Sequence, residues 1–195
     1  SVFVAAWEDN NRMSLCRIDA GTGEVAPVVV TGPDQAFRKH EVSGDGSLIY
    51  VRVDKSRASS IIRRDLGSGE EKELYHGPPR DDLTAALSPD GRHLAFLNRP
   101  MGQAEAERIV RVMPATGGEA REIFRFTDPG TPWIPLAWGA DGRYLLFPRK
   151  MSRDDPKQKW SLWRVSADGG AREKLELEME RIGEISAHPD GRQIA

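Results

Sequence analysis

Short apolar runs separated by turn residues fill this chain, and residues 83–124 show the pattern most clearly. Apolar runs at 83–87 and 93–97 flank a Ser-Pro-Asp-Gly sequence, and two further runs follow at 108–112 and 119–124. Short runs of this kind, partly β-branched or aromatic and bounded by Gly, Pro and Asp, are typical of β-strands. No segment shows a long 3.6-residue apolar period between capping signals, so we expect little helix. This stretch predicts a unit of four antiparallel strands.

The unit recurs along the chain with two independent markers. An Asp-Gly turn recurs at intervals of 45 to 51 residues, at Asp45-Gly46, Asp90-Gly91, Asp141-Gly142 and Asp190-Gly191. An arginine followed six residues later by a glycine recurs with the same period, at Arg17, Arg63, Arg111 and Arg164. We predict repeats at about 1–35, 36–80, 81–130 and 131–180, with the start of another at 181–195.

Repeated four-stranded units of about 49 residues predict an all-β fold, a β-propeller in which each unit is one blade. A sandwich or barrel would explain the strands but not the period. The first and last residues align within the second strand of a blade, so we favour about four blades of a larger ring. Four blades that close on themselves are the alternative. A homodimer of two such arcs is a further alternative, and size-exclusion chromatography with light scattering would test it.

One copy of the repeat carries a family resemblance. The sequence Ser-Pro-Asp-Gly-Arg-His-Leu-Ala-Phe at 88–96 resembles the WD-like repeats of TolB-type propellers. Related repeats occur in the propeller domains of prolyl-oligopeptidase-type serine peptidases and in bacterial sensor-like proteins. The copy at 43–47 lacks the Pro and the Arg, the copy at 139–142 lacks the Pro, and TolB's own α/β domain is absent. The resemblance implies a periplasmic or other extracytoplasmic setting in a bacterium.

Composition narrows the classes of protein. The chain has 38% hydrophobic and 30% charged residues with a formal net charge of -2. This balance argues against a nucleic-acid partner bound by bulk positive charge. No apolar run approaches the length of a membrane-spanning helix, so we expect no membrane insertion. A single cysteine, Cys16, excludes an intrachain disulfide and a cysteine metal cluster.

The motifs of common enzymes are missing from the sequence. It has no Gly-x-Ser-x-Gly nucleophile elbow, no His-Glu-x-x-His zinc motif and no Gly-Lys-Ser/Thr phosphate loop. The four histidines stand in unrelated contexts. We therefore expect a chain without catalytic residues, cofactor or metal.

The repeated charged residues have a structural and a functional interpretation. The turn aspartates could form a ring of carboxylates, but an Asp before Gly in a tight turn normally bonds to its own backbone. The repeated arginines could form an anion-binding ring, but their stems fit between blades with each guanidinium paired to a carboxylate. We favour the structural interpretation for both sets.

Connection length gives the better functional signal. In each predicted unit, one short turn joins the first strand to the second and another joins the third to the fourth. Because the strands are antiparallel, both turns lie on the same face of the propeller. The variable connections emerge on the opposite face, where binding residues usually lie. Arg and aromatic side chains often anchor interfaces. We therefore expect a partner to contact the following residues on this face: Arg80, Asp81, Asp82, Arg99, Trp133 and Arg153. The alternative is that these are solvated connections only.

The sequence thus predicts a non-catalytic propeller scaffold that binds a protein or peptide. The first alternative is the gating propeller of a prolyl-oligopeptidase-like peptidase whose hydrolase domain lies outside this chain. The second is the sensor domain of a bacterial regulator. The reading frame that contains this chain would distinguish the scaffold from the peptidase, because only the peptidase continues into a Gly-x-Ser-x-Gly domain.

Overall fold

The structure is a computed structural model that describes residues 2–8, 12–100, 106–128, 134–150, 159–188, 190 and 193–194. Within these ranges the chain forms fifteen β-strands and no helix. The strands make four antiparallel sheets, each built from strands that are consecutive in the sequence. The all-β fold predicted from the short apolar runs is confirmed.

Each sheet is a simple meander. The first contains β1 (Val2–Glu8), β2 (Arg12–Ile18) and β3 (Val25–Val30). The second contains β4 (Ala36–Val42), β5 (Ser47–Val53), β6 (Ser59–Asp65) and β7 (Glu71–His76). The third contains β8 (Asp81–Leu87), β9 (His93–Pro100), β10 (Ala106–Pro114) and β11 (Arg121–Asp128). The fourth contains β12 (Ala137–Trp138), β13 (Tyr144–Arg149), β14 (Trp160–Ser166) and β15 (Arg172–Met179). We call these sheets blades 1 to 4.

Blade 1 differs from the others in having three strands. Its β1 pairs with β2 from Val2 opposite Ile18, which is the pairing that second and third strands make in blades 2 to 4. Beyond blade 4, a bridge between Ala187 and Ile194 matches the first hairpin of a blade. The described residues therefore hold three complete blades and two partial ones.

Hydrophobic clusters fill the spaces between neighbouring blades. Leu15 of blade 1 packs in one cluster with Tyr50 of blade 2, and Ile61 of blade 2 packs in another with residues of blade 3. Between blades 3 and 4, the rings of Phe124 and Phe147 lie 5.6 Å apart. The first strands of blades 2, 3 and 4 lie side by side, since β8 contacts both β4 and β12. This is the packing of a propeller.

The Asp-Gly turns close the first hairpin of blades 2, 3 and 4. In the turn of blade 3, the Gly91 N–H donates to the Ser88 carbonyl at 2.8 Å. The Asp90 carboxylate accepts the Arg92 N–H at 3.0 Å. Glycine is required because the backbone is left-handed there, with a φ of +71° at Gly91. The same geometry recurs at Asp45-Gly46 and Asp141-Gly142, whereas Gly191, which follows Asp190, lies outside the described residues.

The strand order creates two unlike faces. The turns that join first to second and third to fourth strands in blades 2 to 4, together with the turn from β2 to β3 in blade 1, lie on one side, which we call the turn face. The connections between second and third strands and the links between blades lie on the other side, which we call the loop face. The strand ends at the loop face carry the candidate site.

Candidate functional site

Buried charged residues collect at the loop face. Asp81 and Asp82 begin β8, Arg108 is the third residue of β10, Asp128 ends β11 and Arg149 ends β13. Each is at most 8% exposed, and within the described ranges no other charged residue is buried to this degree. Burial of charge is costly unless the charge is paired. Their concentration on one face therefore makes that face the functional candidate.

A cleft of about 330 Å³ opens on the loop face. Its walls come from the link between blades 1 and 2, the strand β4, the connection from β5 to β6, and the start of β8. The charged residues of its walls are three carboxylates and three cations: Asp34, Asp54, Asp82, Arg38, Lys55 and Arg57. The cleft therefore offers both signs of charge to a ligand.

Asp82 is the buried carboxylate of the cleft. Its Oδ1 accepts the Leu83 N–H at 3.1 Å and lies 4.0 Å from Nε of Arg38. The Asp82 side chain is 11% exposed, whereas the Arg38 side chain is 46% exposed. Arg38 therefore approaches Asp82 only at the limit of an ion pair and exposes nearly half of its side chain.

Asp54 is held in the connection from β5 to β6. Its Oδ1 accepts the Ser56 hydroxyl at 2.7 Å, the Ser56 N–H at 2.8 Å and the Ala58 N–H at 3.1 Å. The Ser56 hydroxyl is the largest of the effects that lower the pKa of Asp54 below its ordinary value. This carboxylate therefore stays ionised and fixes the shape of the loop.

Two arginines beside the cleft have strained backbones. Arg57 and Arg80 have φ angles of 61° and 62°, and among the described residues they are the non-glycine residues with positive φ. Arg57 lines the cleft, and Arg80 stands two residues before Asp82. A non-glycine residue in this conformation costs about 1–3 kcal/mol, and such strain clusters at functional sites. The strain therefore supports this cleft as the site.

A second group of buried charges lies in blade 3. Nε and Nη2 of Arg108 donate to Oδ2 of Asp128 at 3.0 and 2.5 Å, and both side chains are 3% exposed. Asn98 accepts the Ile109 N–H at 2.7 Å and donates to Asp81 at 3.4 Å. Asp81 thus belongs to the buried polar layer beneath the loop face.

Arg149 adds a buried cation on the side of blade 4. Its Nη2 donates to the Thr127 carbonyl at 3.2 Å. Its Cζ lies over the rings of Phe126 and Trp163, at 4.7 and 5.7 Å. Burial, and then the charge of Arg172, lowers the pKa of Arg149.

The predicted partner-binding residues fall in different environments. Asp82 lines the cleft, and Arg80 is exposed beside it. Asp81 is 5% exposed, so it supports the site from below and does not present its carboxylate at the surface. Arg99 lies in β9 with its backbone opposite Asp82, but its side chain is not described. Two further predicted residues lie outside the described residues, Trp133 and Arg153.

Sequence reasoning missed Arg38 as a site residue. It stands inside β4, where no turn or composition signal marks it. Arg57 belonged to a variable connection, but its backbone strain had no signal in the sequence. The pairing of Arg108 with Asp128 was also missed, because it joins residues on two strands across a hairpin.

Two of the four repeated arginines, Arg63 and Arg164, form ion pairs within their own blades. Nη2 of Arg63 donates to Oδ2 of Asp45 at 2.8 Å, and Nη2 of Arg164 lies 2.7 Å from Glu173. For these two arginines, the expected pairing of the guanidinium with a carboxylate forms within one sheet. Among the described residues, no helix has the length and hydrophobicity to cross a membrane. The same ranges contain no group of His, Cys, Asp and Glu that could hold a metal ion.

Comparison with known proteins places the fold. No protein-family model and no curated protein sequence matches the chain. Among solved structures, the chain is similar to oligogalacturonate lyase from Vibrio parahaemolyticus, with a TM-score of 0.66 and 11% identity over 94% of this chain and 54% of that one. It is similar to the β-propeller domain of the Trilobed protease from Pyrococcus furiosus, with a TM-score of 0.61 and 13% identity over 90% and 53%.

A third similar structure is a prolyl endopeptidase, with a TM-score of 0.57 and 18% identity over 83% of this chain and 26% of that one. The chain thus spans about half the length of the lyase and of the protease domain, and about a quarter of the endopeptidase. At these identities the likeness shows the fold alone. The chain has the β-propeller fold.

Proposed function

We propose that this chain is a TolB-like propeller scaffold without catalytic activity that binds a peptide or protein segment on its loop face. The observation that carries the proposal is the cleft at Asp82, where three carboxylates and three cations line about 330 Å³. The strained backbones of Arg57, which lines the cleft, and of Arg80, two residues before Asp82, support it. The resemblance of the repeat supports an extracytoplasmic setting, which we propose with it.

The charges of the cleft favour a ligand that carries both signs. A nucleic acid would bring its phosphates against Asp34, Asp54 and Asp82, and the whole chain has a net charge of -2. A peptide can instead place a basic side chain on the carboxylates and an acidic one on the cations. The backbone N–H and C=O groups of a peptide can also form hydrogen bonds with the polar residues of such a cleft. A peptide of mixed charge is therefore the ligand that fits.

A phage-displayed library of random peptides, selected on the immobilised chain, tests the proposal. We expect the selected peptides to bind at least 30-fold more weakly to the Asp82→Asn variant, because loss of a buried charged partner costs about 2–5 kcal/mol. Arg92→Gln, a change of an exposed residue on the turn face, is the matched control and should bind normally. Equal binding to both variants, or no selected peptide, would contradict the proposal.

A second candidate is the propeller of a peptidase related to prolyl oligopeptidase. It is favoured by the similar structures, which include a prolyl endopeptidase and an acylaminoacyl peptidase from Pyrococcus horikoshii. The reading frame that contains this chain tests it directly. A downstream Gly-x-Ser-x-Gly domain would support the peptidase, and a frame without one would leave the scaffold as the proposed function.

A further inference from the structure

Arg149 is a buried cation that has no carboxylate partner among the residues that the structure describes. Its residue is 8% exposed, and within the described ranges no carboxylate oxygen lies within 4.0 Å of its side-chain nitrogens. Its single hydrogen bond there goes to the neutral carbonyl of Thr127. Asp128 lies near enough to influence it, but its Oδ2 already accepts both donors of Arg108.

The described charged groups near Arg149 include two further arginines. Arg108 and Asp128 form an ion pair with each other, whereas Arg149 forms no ion pair within the described ranges. Arg172 adds a second cation, because its Cζ lies 5.6 Å from the same Trp163 ring that Arg149 contacts. Aromatic rings attract a guanidinium but carry no formal charge. Since buried charges are normally paired and Arg172 is exposed, Arg149 is the cation of this group that lacks an anion within the described ranges.

The geometry favours a carboxylate as that anion. The Phe126 and Trp163 rings contact the guanidinium of Arg149 through its Cζ, and rings of this kind form no ion pair with it. The Thr127 carbonyl occupies one of the five N–H donors. A planar carboxylate can accept two parallel N–H groups at the edge of a guanidinium.

We propose that Arg149 binds a carboxylate of the peptide ligand, either its C-terminus or an Asp or Glu side chain. The identity of the ligand as a peptide rests on the proposed function, whereas the carboxylate site rests on Arg149 itself. The site also lies at the loop face, because Arg149 ends β13. The ligand would thus need a carboxylate for Arg149 in addition to basic groups for the carboxylates of the cleft.

Titration with sodium acetate at constant ionic strength tests the site without a peptide. The reporter is the indole N–H of Trp163, a buried group without a hydrogen-bond partner in the structure, followed by ¹H–¹⁵N NMR. We expect a saturable shift with a dissociation constant in the range of about 1–10 mM. Arg149→Lys keeps the positive charge but loses the paired N–H donors of the guanidinium, so it should bind acetate at least 10-fold more weakly. Arg149→Met should show no saturable shift, and Arg92→Met should titrate like the original chain.

The melting temperature supplies a second measurement. In buffer without acetate, we expect Arg149→Met to melt no lower than the original chain, because it removes an unpaired buried charge. A clear fall would overturn the proposal, since it would show that Arg149 serves packing against the rings. An unchanged acetate response in Arg149→Met would overturn it as well.

Library-selected peptides separate this proposal from the proposed function. Peptides that lose at least 10-fold in affinity when their carboxylates are amidated would support both. Peptides that bind equally well as amides, with no response to acetate, would overturn the Arg149 site and leave the proposed function standing. Acetate binding without any selected peptide would support the site and contradict the proposed function.

Discussion

Two glycines at the same position of successive turns have different neighbours. Gly91 of blade 3 has a φ of +71°, and a Cβ added there would lie 2.7 Å from Oγ of Ser43 in blade 2. Gly46 of blade 2 has a φ of +81°, and an added Cβ would meet nothing within 4 Å. Replacement of each by alanine should therefore separate backbone strain from contact between blades.

The cost of each substitution can be worked out from these neighbours. An L-residue in the left-handed region loses about 1–2 kcal/mol, and the smaller entropy of the unfolded chain returns about 0.4–1 kcal/mol. Gly46→Ala should therefore destabilise the protein by about 1 kcal/mol. In Gly91→Ala, Ser43 must turn its hydroxyl away and lose its hydrogen bond to Asp45. This adds about 1 kcal/mol, which gives a total of about 2 kcal/mol.

Urea unfolding followed by circular dichroism measures the difference. We expect Gly91→Ala to lose about 1 kcal/mol more than Gly46→Ala. The double variant Ser43→Ala/Gly91→Ala should be no less stable than Gly91→Ala alone, because the colliding hydroxyl is gone. Equal losses at Gly91 and Gly46, or additive losses in the double variant, would refute the packing of these turns between blades.

Three further predictions test the interior and the charges. Asp128→Asn removes the carboxylate that pairs with buried Arg108 and should cost about 3–5 kcal/mol of stability, which corresponds to a fall of about 6–20 °C in melting temperature. The double variant Arg108→Leu/Asp128→Leu should lose less stability. An unchanged melting temperature of Asp128→Asn would contradict the importance of this ion pair. Arg121→Met removes two hydrogen bonds, of 2.8 and 2.9 Å, to carbonyls of blade 4 and should lower stability to urea by about 1 kcal/mol; an unchanged midpoint would count against this link. Hydrogen bonds, first that of the Ser88 hydroxyl, hold the pKa of Asp90 below its ordinary value of 3.8. The contribution of Asp90 to stability, which is present at neutral pH, should therefore be lost as the pH falls below about 3.8. A melting temperature that stays constant down to about pH 2 would contradict this.

The fold was readable from the sequence because local signals agreed with one another. The strand predicted from residue 93 begins at His93, where the Asp-Gly turn fixes its start. The fourth strand of that unit, predicted from residue 119, begins at Arg121. The difference arises because Gly117 and Gly118 both have positive φ and extend the turn. The three-stranded form of blade 1 had no local signal, since sheet membership depends on distant pairing.

The site was readable only in part. The variable connections led to the prediction of Asp82, because loop variation is visible in the sequence, and Asp82 lines the cleft. Burial is not visible there, so the sequence did not distinguish Asp81, which lies under the surface, from Asp82, which lines the cleft. The unpaired charge of Arg149 depends on how two blades pack, and no pattern along the chain encodes that packing.

Mapping of a library-selected peptide by ¹H–¹⁵N NMR tests the central claim most directly. On titration with the peptide, we expect backbone shifts at the loop face, at Arg38, Arg57 and Asp82. The glycines of the turn face, Gly46 and Gly91, should keep their positions. Shifts confined to the turn face, or spread equally over both faces, would contradict a propeller that binds its ligand through the loop face.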